Sequence, residues 1–321
     1  MRALVFSRFG GPEVLEWAEV PDPRVPDDGV LVRMEAIGLN FADVYRRRGA
    51  YHLAGTPPYI AGYEGAGVVV ARGPDARDFA CGDRVGFADV PFAHAELVAA
   101  PIDKLVPLPT GVSAALAASV LLQGLTAHYL THDSYAVRSG TTMLVHAAAG
   151  GVGQLLVQIG RFLGASVFAL ASSPEKLEVA RTLGADVAWL TSDDWQARAR
   201  ERTAGRGVDV VYDSVGSTLT ESLSLARTGG AVVFYGMAGG DPLPVNPRDL
   251  MDRSLTLTGG DLWNVLTSAA ERRARAATLF EWLEAGKLRA PTVATFPLAE
   301  GERAHRLLES RAHAGKILLI P

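Results

Sequence analysis

Six short apolar runs, separated by helix-length segments, occupy the middle of the chain and constrain its fold more than any other feature. The runs cover residues 142–146, 166–170, 187–190, 208–212, 231–235 and 255–258, and helix-like stretches separate the first five. Strands that alternate with helices of this length form βαβ units, and continuously apolar strands indicate a parallel sheet buried on both faces. The sequence therefore predicts an α/β protein with a doubly wound domain in its middle.

A glycine-rich turn follows the first of these strands. The segment Met143–Gly153 enters as a strand and leaves as a helix, and its Ala148-x-Gly150-x-x-Gly153 pattern matches the dinucleotide-binding fingerprint. Glycines here let backbone N–H groups approach a pyrophosphate at the positive end of a helix dipole. An ordinary tight turn also uses glycine, but the position at the first strand-to-helix turn of the sheet favours a dinucleotide site. The residues predicted to hold the pyrophosphate are Gly150, Gly151 and Val152.

The end of the second strand indicates which dinucleotide is bound. In NAD enzymes an acidic residue stands about 20 positions beyond the glycine turn and binds the ribose hydroxyls. Here Ser172, Ser173 and Lys176 occupy that region instead. Hydroxyls and an ammonium group suit a 2′-phosphate, so the sequence predicts NADPH rather than NADH. Alternatively, Ser173 caps the next helix and Lys176 lies on its solvated face; the two interpretations are compatible.

The segments on either side of this domain have a different character. Residues 1–110 are rich in predicted strands, with one short helix at 41–48 that ends at Gly49. Two helices, 114–120 and 124–132, are predicted next. After residue 264 we expect a long helix, a strand, a helix at 299–310 and a last strand at 316–320 that returns to the front of the chain.

Composition excludes several classes of protein. The chain has 321 residues, 48% of them hydrophobic and 21% charged, which excludes a disordered or fibrous protein. The net charge of −4 favours no polyanionic partner such as nucleic acid. A single cysteine, Cys81, allows no internal disulfide and favours a cytoplasmic location. The N-terminus lacks a signal-peptide pattern, and the apolar segment 112–125 is shorter than the ~20 residues of a membrane helix.

Several segments, in order along the chain, resemble the quinone oxidoreductase (zeta-crystallin-like) branch of the zinc-free medium-chain dehydrogenase/reductase superfamily. They are residues 36–49, 62–68, 81–85, 146–153, 211–216, 303–311 and 316–321. The resemblance implies a GroES-like β-barrel catalytic domain formed by 1–122 and 264–321, and a Rossmann NADPH-binding domain with a six-stranded parallel sheet at 123–263. It also implies a homodimer paired through edge strands, for which 231–235 and 255–258 are candidates.

The same resemblance implies that no metal is bound. Zinc-dependent members of the superfamily place a cysteine and a histidine where this chain has Asn40 and Tyr63, and their four-cysteine lobe is absent here. The only histidine pair at helical spacing, His128 and His132, is expected to have a solvated or packing role.

The resemblance carries cofactor-binding roles onto residues at strand ends and near the first helix. They are Asn40, Phe41, Asp43, Thr126, Tyr129, Ser214, Val215, Tyr235, Gly236, Met237, Gly260 and Lys316. Three of them have alternatives: Asn40 as a helix N-cap, Tyr129 as a core tyrosine, and Lys316 as a strand-edge lysine. One departure is Thr191, which stands where members often carry a tyrosine that helps to hold the 2′-phosphate.

The predicted activity is hydride transfer from NADPH to a quinone without a metal. Asn40 would bond the ribose or the acceptor oxygen, and Tyr51, followed by Tyr63, would orient or protonate the acceptor. For both tyrosines packing as an aromatic ring is the favoured alternative. The competing functions are an NADPH-dependent enone or 2-alkenal reductase and a non-catalytic NADPH- or RNA-binding protein. The net charge argues against RNA, and the Arg46–Arg48 run is typical of a solvated helix end.

Overall fold

The computed structural model describes all 321 residues, and backbone contacts divide the chain into two compact units. Unit 1 comprises Met1–Leu125, Leu266–Glu284 and Ala290–Pro321, and unit 2 comprises Thr126–Val265 and Ala285–Arg289. The segment Ala285–Arg289 therefore groups with unit 2, whereas the family resemblance implied that it belongs to the catalytic domain.

Strands and helices are numbered in chain order. The strands are β1 (Arg2–Phe6), β2 (Glu16–Glu19), β3 (Gly29–Leu39), β4 (Tyr59–Ile60), β5 (Gly65–Arg72), β6 (Arg84–Phe87), β7 (Leu97–Pro101), β8 (Val106–Pro107), β9 (Thr142–Val145), β10 (Ser166–Ala171), β11 (Val187–Leu190), β12 (Val208–Asp213), β13 (Ala226–Phe234), β14 (Thr256–Gly259), β15 (Val293–Pro297) and β16 (Lys316–Ile320). The helices are α1 (Phe41–Arg47), α2 (Ala114–Tyr129), α3 (Gly151–Phe162), α4 (Pro174–Thr182), α5 (Trp195–Arg202), α6 (Leu219–Leu225), α7 (Pro247–Arg253), α8 (Leu262–Val265), α9 (Ala269–Glu284) and α10 (Gly301–Ser310).

Unit 2 is built on a six-stranded parallel sheet with the order β11-β10-β9-β12-β13-β14. The chain starts in the middle at β9 and winds outwards in both directions, which is the 3-2-1-4-5-6 order of dinucleotide-binding folds. Strands β9 and β12 are buried along their whole length. The predicted doubly wound parallel sheet is confirmed, and because β9 and β12 are neighbours, the loops that follow them meet at one edge.

Only one of the two predicted edge strands lies at an edge. Strand β13 pairs with β12 on one side and β14 on the other, so the prediction for 231–235 is wrong. Its Ala231–Val233 segment is buried, as expected for an interior strand of a parallel sheet. Strand β14 is one of the two edges of the sheet, and its residues are half-buried or exposed.

Unit 1 contains a mainly antiparallel sheet with the order β15-β16-β3-β5-β6-β8, to which β7 adds by pairing with β3. A second, three-stranded sheet has the order β2-β1-β4. The C-terminal strand β16 pairs with β3, with Ile317 opposite Leu39 and Leu319 opposite Ile37. The predicted return of the C-terminal strand to the front of the chain is therefore confirmed.

A single helix replaces the two predicted between residues 114 and 132. Helix α2 runs without interruption from Ala114 to Tyr129 and continues as a π-helical turn, Leu130–Ser134. No new helix begins at Gly124, which lies inside α2. A Cβ at this position would lie 2.9 Å from Leu279 Cδ1, so the glycine allows α9 to pack closely.

The uninterrupted helix also corrects the expectation that no segment is long enough to span a membrane. Ala114–Ser134 has 21 residues and is apolar enough by composition, but 78% of its apolar window is buried inside the structure. A buried core helix passes the same test of length and hydropathy, so this feature is weak evidence for a membrane span.

Candidate functional site

The glycine-rich turn of unit 2 lies between β9 and α3. Gly150 is the N-cap of α3 in an extended conformation (φ −76°, ψ 169°), and its N–H donates to Ala147 O at 2.8 Å. Because a glycine N-cap has no side chain, no side-chain group caps the first N–H groups of the helix. These donors, on Gly151 and Val152 among others, stand at the positive end of the helix dipole, where a phosphate binds favourably.

Close packing explains Gly153 of the motif and Gly160 further along α3. A Cβ on Gly153 would lie 2.3 Å from Ala147 O and 2.8 Å from Ala148 Cα, so only glycine lets the helix begin this close to the turn. A Cβ on Gly160 would lie 2.4 Å from Met143 Sδ on the adjoining strand. The turn and the helix start therefore fit the pyrophosphate of a dinucleotide.

Replacing Gly153 by alanine is expected to weaken NADPH binding at least tenfold and to destabilise the protein by about 1–3 kcal/mol, because the new methyl group meets backbone atoms that cannot move aside. Fluorescence titration with NADPH and thermal unfolding measure the two effects. Gly111→Ala is the control, since a Cβ there meets nothing within 4 Å. An unchanged dissociation constant for Gly153→Ala would contradict this account of the turn.

Hydroxyl and ammonium groups lie together at the end of β10. Ser173 Oγ accepts from Lys176 N (3.4 Å) and caps α4, and Lys176 Nζ lies 3.4 Å from Ser172 Oγ. The capping role proposed for Ser173 is thus confirmed. The exposed Thr191, whose N–H donates to Ala171 O, follows the neighbouring strand β11. The Glu175 carboxylate lies in the first turn of α4, where its hydrogen bond with the Ser173 side chain lowers its pKa. This end of the sheet therefore offers hydroxyls and an ammonium group, with Glu175 as the acidic neighbour of Ser173.

The remaining predicted residues of unit 2 follow the strands on the other side of β9. Ala238 N donates to Ser214 O at 3.0 Å, and Gly239 N donates to Val215 O at 2.7 Å, so the segments after β12 and β13 are tied together. The residues that the structure brings to this edge are Ser214, Val215, Tyr235, Gly236, Met237 and Gly260, each half-buried or exposed.

The two predicted residues of α2 that belong to unit 2, Thr126 and Tyr129, are buried. The Tyr129 ring lies in the interior, as the core alternative requires, and its hydroxyl reaches Gly260, where a Cβ would stand 2.8 Å from the oxygen. Whether Tyr129 reaches a phosphate stays a prediction.

Unit 1 contains a buried ion pair in which Lys316 Nζ lies 2.6 Å from Glu64 Oε2. Both side chains are fully buried, and Leu122 N also donates to Glu64 Oε1 at 2.8 Å. Lys316 begins β16, which lies between β15 and β3, so the strand-edge interpretation of this lysine is wrong. The role of Glu64 was not predicted, although the residue lies in the segment 62–68 that carries the family resemblance.

The Asn40 side chain belongs to this cluster and uses its full hydrogen-bonding capacity there. Its Oδ1 accepts from Lys316 Nζ (2.8 Å) and from Gln123 Nε2 (3.3 Å). Its Nδ2 donates to Glu64 Oε2 (2.8 Å) and to Gly38 O (3.4 Å). An amide has two acceptor and two donor positions, so a bond to a ribose or an acceptor oxygen would have to replace one of these.

Asn40 is also the N-cap residue of α1, in extended conformation, and its N–H donates to Asp43 Oδ2 at 2.9 Å. Asn40 therefore occupies the expected N-cap position, but its Oδ1 bonds Lys316 and Gln123 and makes no side-chain cap of the helix. Burial raises the pKa of the Asp43 carboxyl, and the nearby Arg46 opposes that shift.

The arginine run at the end of α1 is buried, and its interpretation as a solvated helix end is wrong for two of three residues. Arg46 is 2% exposed, Arg47 is fully buried and pairs with Glu309, and only Arg48 is mostly exposed. The Arg46 guanidinium is 3.5 Å from the Tyr63 ring centroid and 5.0 Å from that of Tyr51. A guanidinium tolerates burial here because ring faces and hydrogen-bond acceptors replace water.

The two predicted catalytic tyrosines differ in environment. Tyr63 is buried, its hydroxyl accepts from Ala54 N at 2.8 Å, and burial raises its pKa, so the phenol keeps its proton at neutral pH. Its ring packs as the alternative expected. Tyr51 is half-buried and meets Tyr45 edge-on at 6.5 Å, and Tyr45 lies 6.2 Å from Phe41. Tyr45 was not among the predicted site residues, and catalytic roles for Tyr51 and Tyr63 stay predictions.

The donor set does not fit a zinc ion. No group of three or more His, Cys, Asp or Glu side chains is placed to hold a metal. The Glu64 carboxylate already bonds an ammonium, an amide and a backbone N–H group. The rings of His128 and His132 stack in parallel at 4.3 Å instead of pointing their nitrogens at a common position.

A doubly wound sheet with an uncapped glycine turn, in one chain with an antiparallel-sheet unit, defines the class of dinucleotide-dependent oxidoreductases. The chain matches the family "Alcohol dehydrogenase GroES-like domain" over residues 26–138 and the family "Zinc-binding dehydrogenase" over residues 151–279. It is 40% identical to a quinone oxidoreductase of Pseudomonas aeruginosa, covering 100% of this chain and 99% of the relative. It is 38% identical to a 2-haloacrylate reductase of a Burkholderia species, covering 99% and 98%.

A solved structure of Escherichia coli quinone oxidoreductase complexed with NADPH covers 100% of both chains, with 34% identity and a TM-score of 0.96. The chain belongs to the quinone oxidoreductase branch of the medium-chain dehydrogenase/reductase superfamily. Its GroES-like and Rossmann domains and its six-stranded parallel sheet are those of this family, as the sequence predicted.

Proposed function

We propose that the protein is an NADPH:quinone oxidoreductase that works without a metal ion. One observation carries the proposal: the uncapped glycine turn at β9 is accompanied, at the end of β10, by Ser172, Ser173 and Lys176 where an NAD enzyme has a carboxylate. Full-length similarity to quinone oxidoreductases supports the same activity.

The residues of unit 2 would bind and orient the cofactor, which supplies a hydride when bound. Backbone N–H groups of Gly151 and Val152 would hold the pyrophosphate. Lys176 and the two serines would bind the 2′-phosphate through charge-assisted hydrogen bonds, which NADH cannot make. The residues at the end of β10 would therefore determine the preference for NADPH over NADH.

In unit 1 the neighbouring rings of Phe41, Tyr45 and Tyr51 are suited to a flat, apolar acceptor, because offset and edge-on ring contacts stabilise aromatic pairs. A quinone needs little acid assistance, since its reduced form is a stabilised phenolate. This agrees with a Tyr63 hydroxyl that retains its proton and with an Asn40 amide already engaged by its neighbours. Tyr51 is the residue we assign to orienting the acceptor.

Reduction of a carbon–carbon double bond conjugated to a carbonyl is the second candidate function. The relative named 2-haloacrylate reductase favours it, at an identity close to that of the quinone oxidoreductases. A homodimer paired through β14 and a cytoplasmic location complete the proposal; sedimentation of the purified protein tests the first of these.

The deciding experiment follows NADPH oxidation by purified protein with 1,4-benzoquinone and 9,10-phenanthrenequinone. NADH and 2-alkenals are run in parallel, with and without a chelator. We expect quinone-dependent turnover that prefers NADPH and is unaffected by the chelator. Tight NADPH binding without quinone turnover would overturn the proposal; turnover with alkenals alone would establish the second candidate.

A further inference from the structure

A buried carboxylate, Asp213, stands at the end of β12 and organises the turn that follows. Its Oδ1 accepts from Val215 N (2.8 Å), Gly216 N (3.1 Å) and Thr218 Oγ1 (3.0 Å). Its Oδ2 accepts from Thr218 Oγ1 (2.9 Å) and Ser222 Oγ (2.6 Å). Burial by itself would raise the pKa of this carboxyl, but the nearby His146 and the hydrogen bonds to the carboxylate together outweigh burial, and the pKa lies below its ordinary value.

His146 joins this network through Ser222. Its Nε2 lies 3.0 Å from Ser222 Oγ, while it is 4.0 Å from the carboxylate of Asp213. Burial lowers the pKa of His146, so its ring is neutral at pH 7. The serine has one proton and gives it to the carboxylate, which can only accept. His146 therefore donates from Nε2, which fixes its tautomer.

The direction of these bonds excludes a hydrolytic triad. In such a triad the histidine accepts the proton of the serine, whereas here Ser222 donates to Asp213 and accepts from His146. All three side chains are buried as well. A network with this direction holds its surroundings in place and does not activate the serine.

The Asp213–Ser222–His146 network holds the loops that follow β9 and β12, at the edge of the sheet where the cofactor is predicted to bind. His146 immediately precedes the glycine turn, and its N–H donates to Tyr212 O at 3.1 Å. The adjacent Ala147 has a positive φ of 47° and accepts the hydrogen bond of Gly150 N. On the other strand, Gly216 has φ 85°, and a Cβ there would lie 2.2 Å from Gly240 O. Both loops adopt conformations that need support from outside themselves.

We propose that Asp213 is a positioning residue for the nicotinamide dinucleotide, acting with Ser222 and His146 to fix the loops after β9 and β12 before the cofactor arrives. A loop that is already ordered costs less free energy to immobilise on binding. The inference rests on the cofactor site of the proposed function, and it assigns affinity for the dinucleotide to residues that need not touch it.

The test compares Asp213→Asn and Ser222→Ala with Ser224→Ala, a control on the same helix whose hydroxyl bonds only to Glu221 O and Gln196 Nε2. We expect the dissociation constant for NADPH, measured by calorimetry, to rise at least tenfold in Asp213→Asn and severalfold in Ser222→Ala. Ser224→Ala should bind as the unsubstituted protein does. At saturating NADPH, kcat and the KM for quinone should be retained, which separates positioning from a general loss of structure.

A nitrogen NMR measurement of His146 gives a signature that misfolding would not produce. The unsubstituted protein should show the tautomer protonated at Nε2. In Asp213→Asn the amide can donate to Ser222, which then gives its proton to His146 Nε2, so the tautomer should switch. Folded variants with unchanged NADPH affinity would overturn the inference. Cofactor binding without quinone turnover in the unsubstituted protein would instead overturn the proposed function alone, and absence of binding would overturn both.

Discussion

Replacing Lys316 by methionine is expected to destabilise unit 1 by about 3–5 kcal/mol, because removing one partner of a buried ion pair leaves the other charge without compensation. Glu64 is fully buried and would keep only two uncharged donors, the Asn40 amide and Leu122 N. Asn40 Oδ1 would lose its shorter hydrogen bond as well. Methionine matches the length of the lysine stem, so the effect arises from charge and not from a cavity.

Native-state hydrogen exchange localises this loss, which matters because a chain of two units need not unfold in one step. In Lys316→Met, the protection of backbone amides against exchange should fall in β3 and β16 and remain unchanged in β9 and β12. Arg306→Met is the control, since its partner Glu302 lies on an exposed helix face and protection should hardly change.

The double variant Lys316→Met, Glu64→Gln should recover a large part of the stability, because it removes the unpaired charge. Equal stability of the single and double variants would mean that the pair contributes packing only. A Lys316→Met variant as stable as the unsubstituted protein would contradict the whole interpretation of the cluster.

The ion pair between Lys316 and Glu64 could not be predicted from the sequence. Unit 2 was predictable because its signals are local: each strand, helix and glycine turn is recorded within about 15 residues of chain. Lys316 and Glu64 are 252 positions apart, and nothing near either residue indicates the other. Glu64 lies within the segment 62–68 that carries the family resemblance, but only the pairing of β16 with β3 places an ammonium group beside it.

The wrong predictions for three other residues have the same physical cause. Gly124 was predicted to begin a second helix, but it lies inside α2, where its small size allows a contact with Leu279, far away in the chain. Arg46 and Arg47 resemble a solvated helix end because charge usually predicts exposure. Their burial depends on Tyr63 and Glu309, which lie on other elements. Packing between distant segments decided each case, and local periodicity does not record it.

Two buried histidines in unit 1 should make the protein lose stability steeply below pH 6.5. His94 and His305 are fully buried, their ring centroids lie 5.9 Å apart, and none of their four ring nitrogens has a hydrogen-bond partner. Burial, assisted by the charges of Arg46 and Lys316, lowers the pKa of His94 to about 3. Burial, assisted by His94 and Arg47, lowers the pKa of His305 well below its ordinary value.

The direction of this pH dependence of stability follows from proton binding by the two histidines. In the unfolded chain each imidazole takes up a proton near pH 6.5, whereas in the folded chain both stay neutral, so acid favours unfolding. Stability should therefore be fully present above pH 6.5. Below it, each histidine should remove about 1.4 kcal/mol per pH unit, which for His94 sums to on the order of 4–5 kcal/mol by pH 3.

Urea unfolding between pH 7.5 and 4.5 measures this slope, and His94→Leu and His305→Leu assign it. Leucine removes the two unpartnered nitrogens, so each variant should be about as stable as the unsubstituted protein at pH 7.5 and more stable at pH 5. His132→Leu, at an exposed position, controls for the loss of an imidazole. The His94 ring also packs against Gly62, where a Cβ would lie 2.0 Å from its Cδ2. If His94→Leu were less stable than the unsubstituted protein at every pH, the main role of the ring would be to fill this space. A gain that appears only below pH 6.5 would show that acid unfolds this unit by protonating its buried histidines.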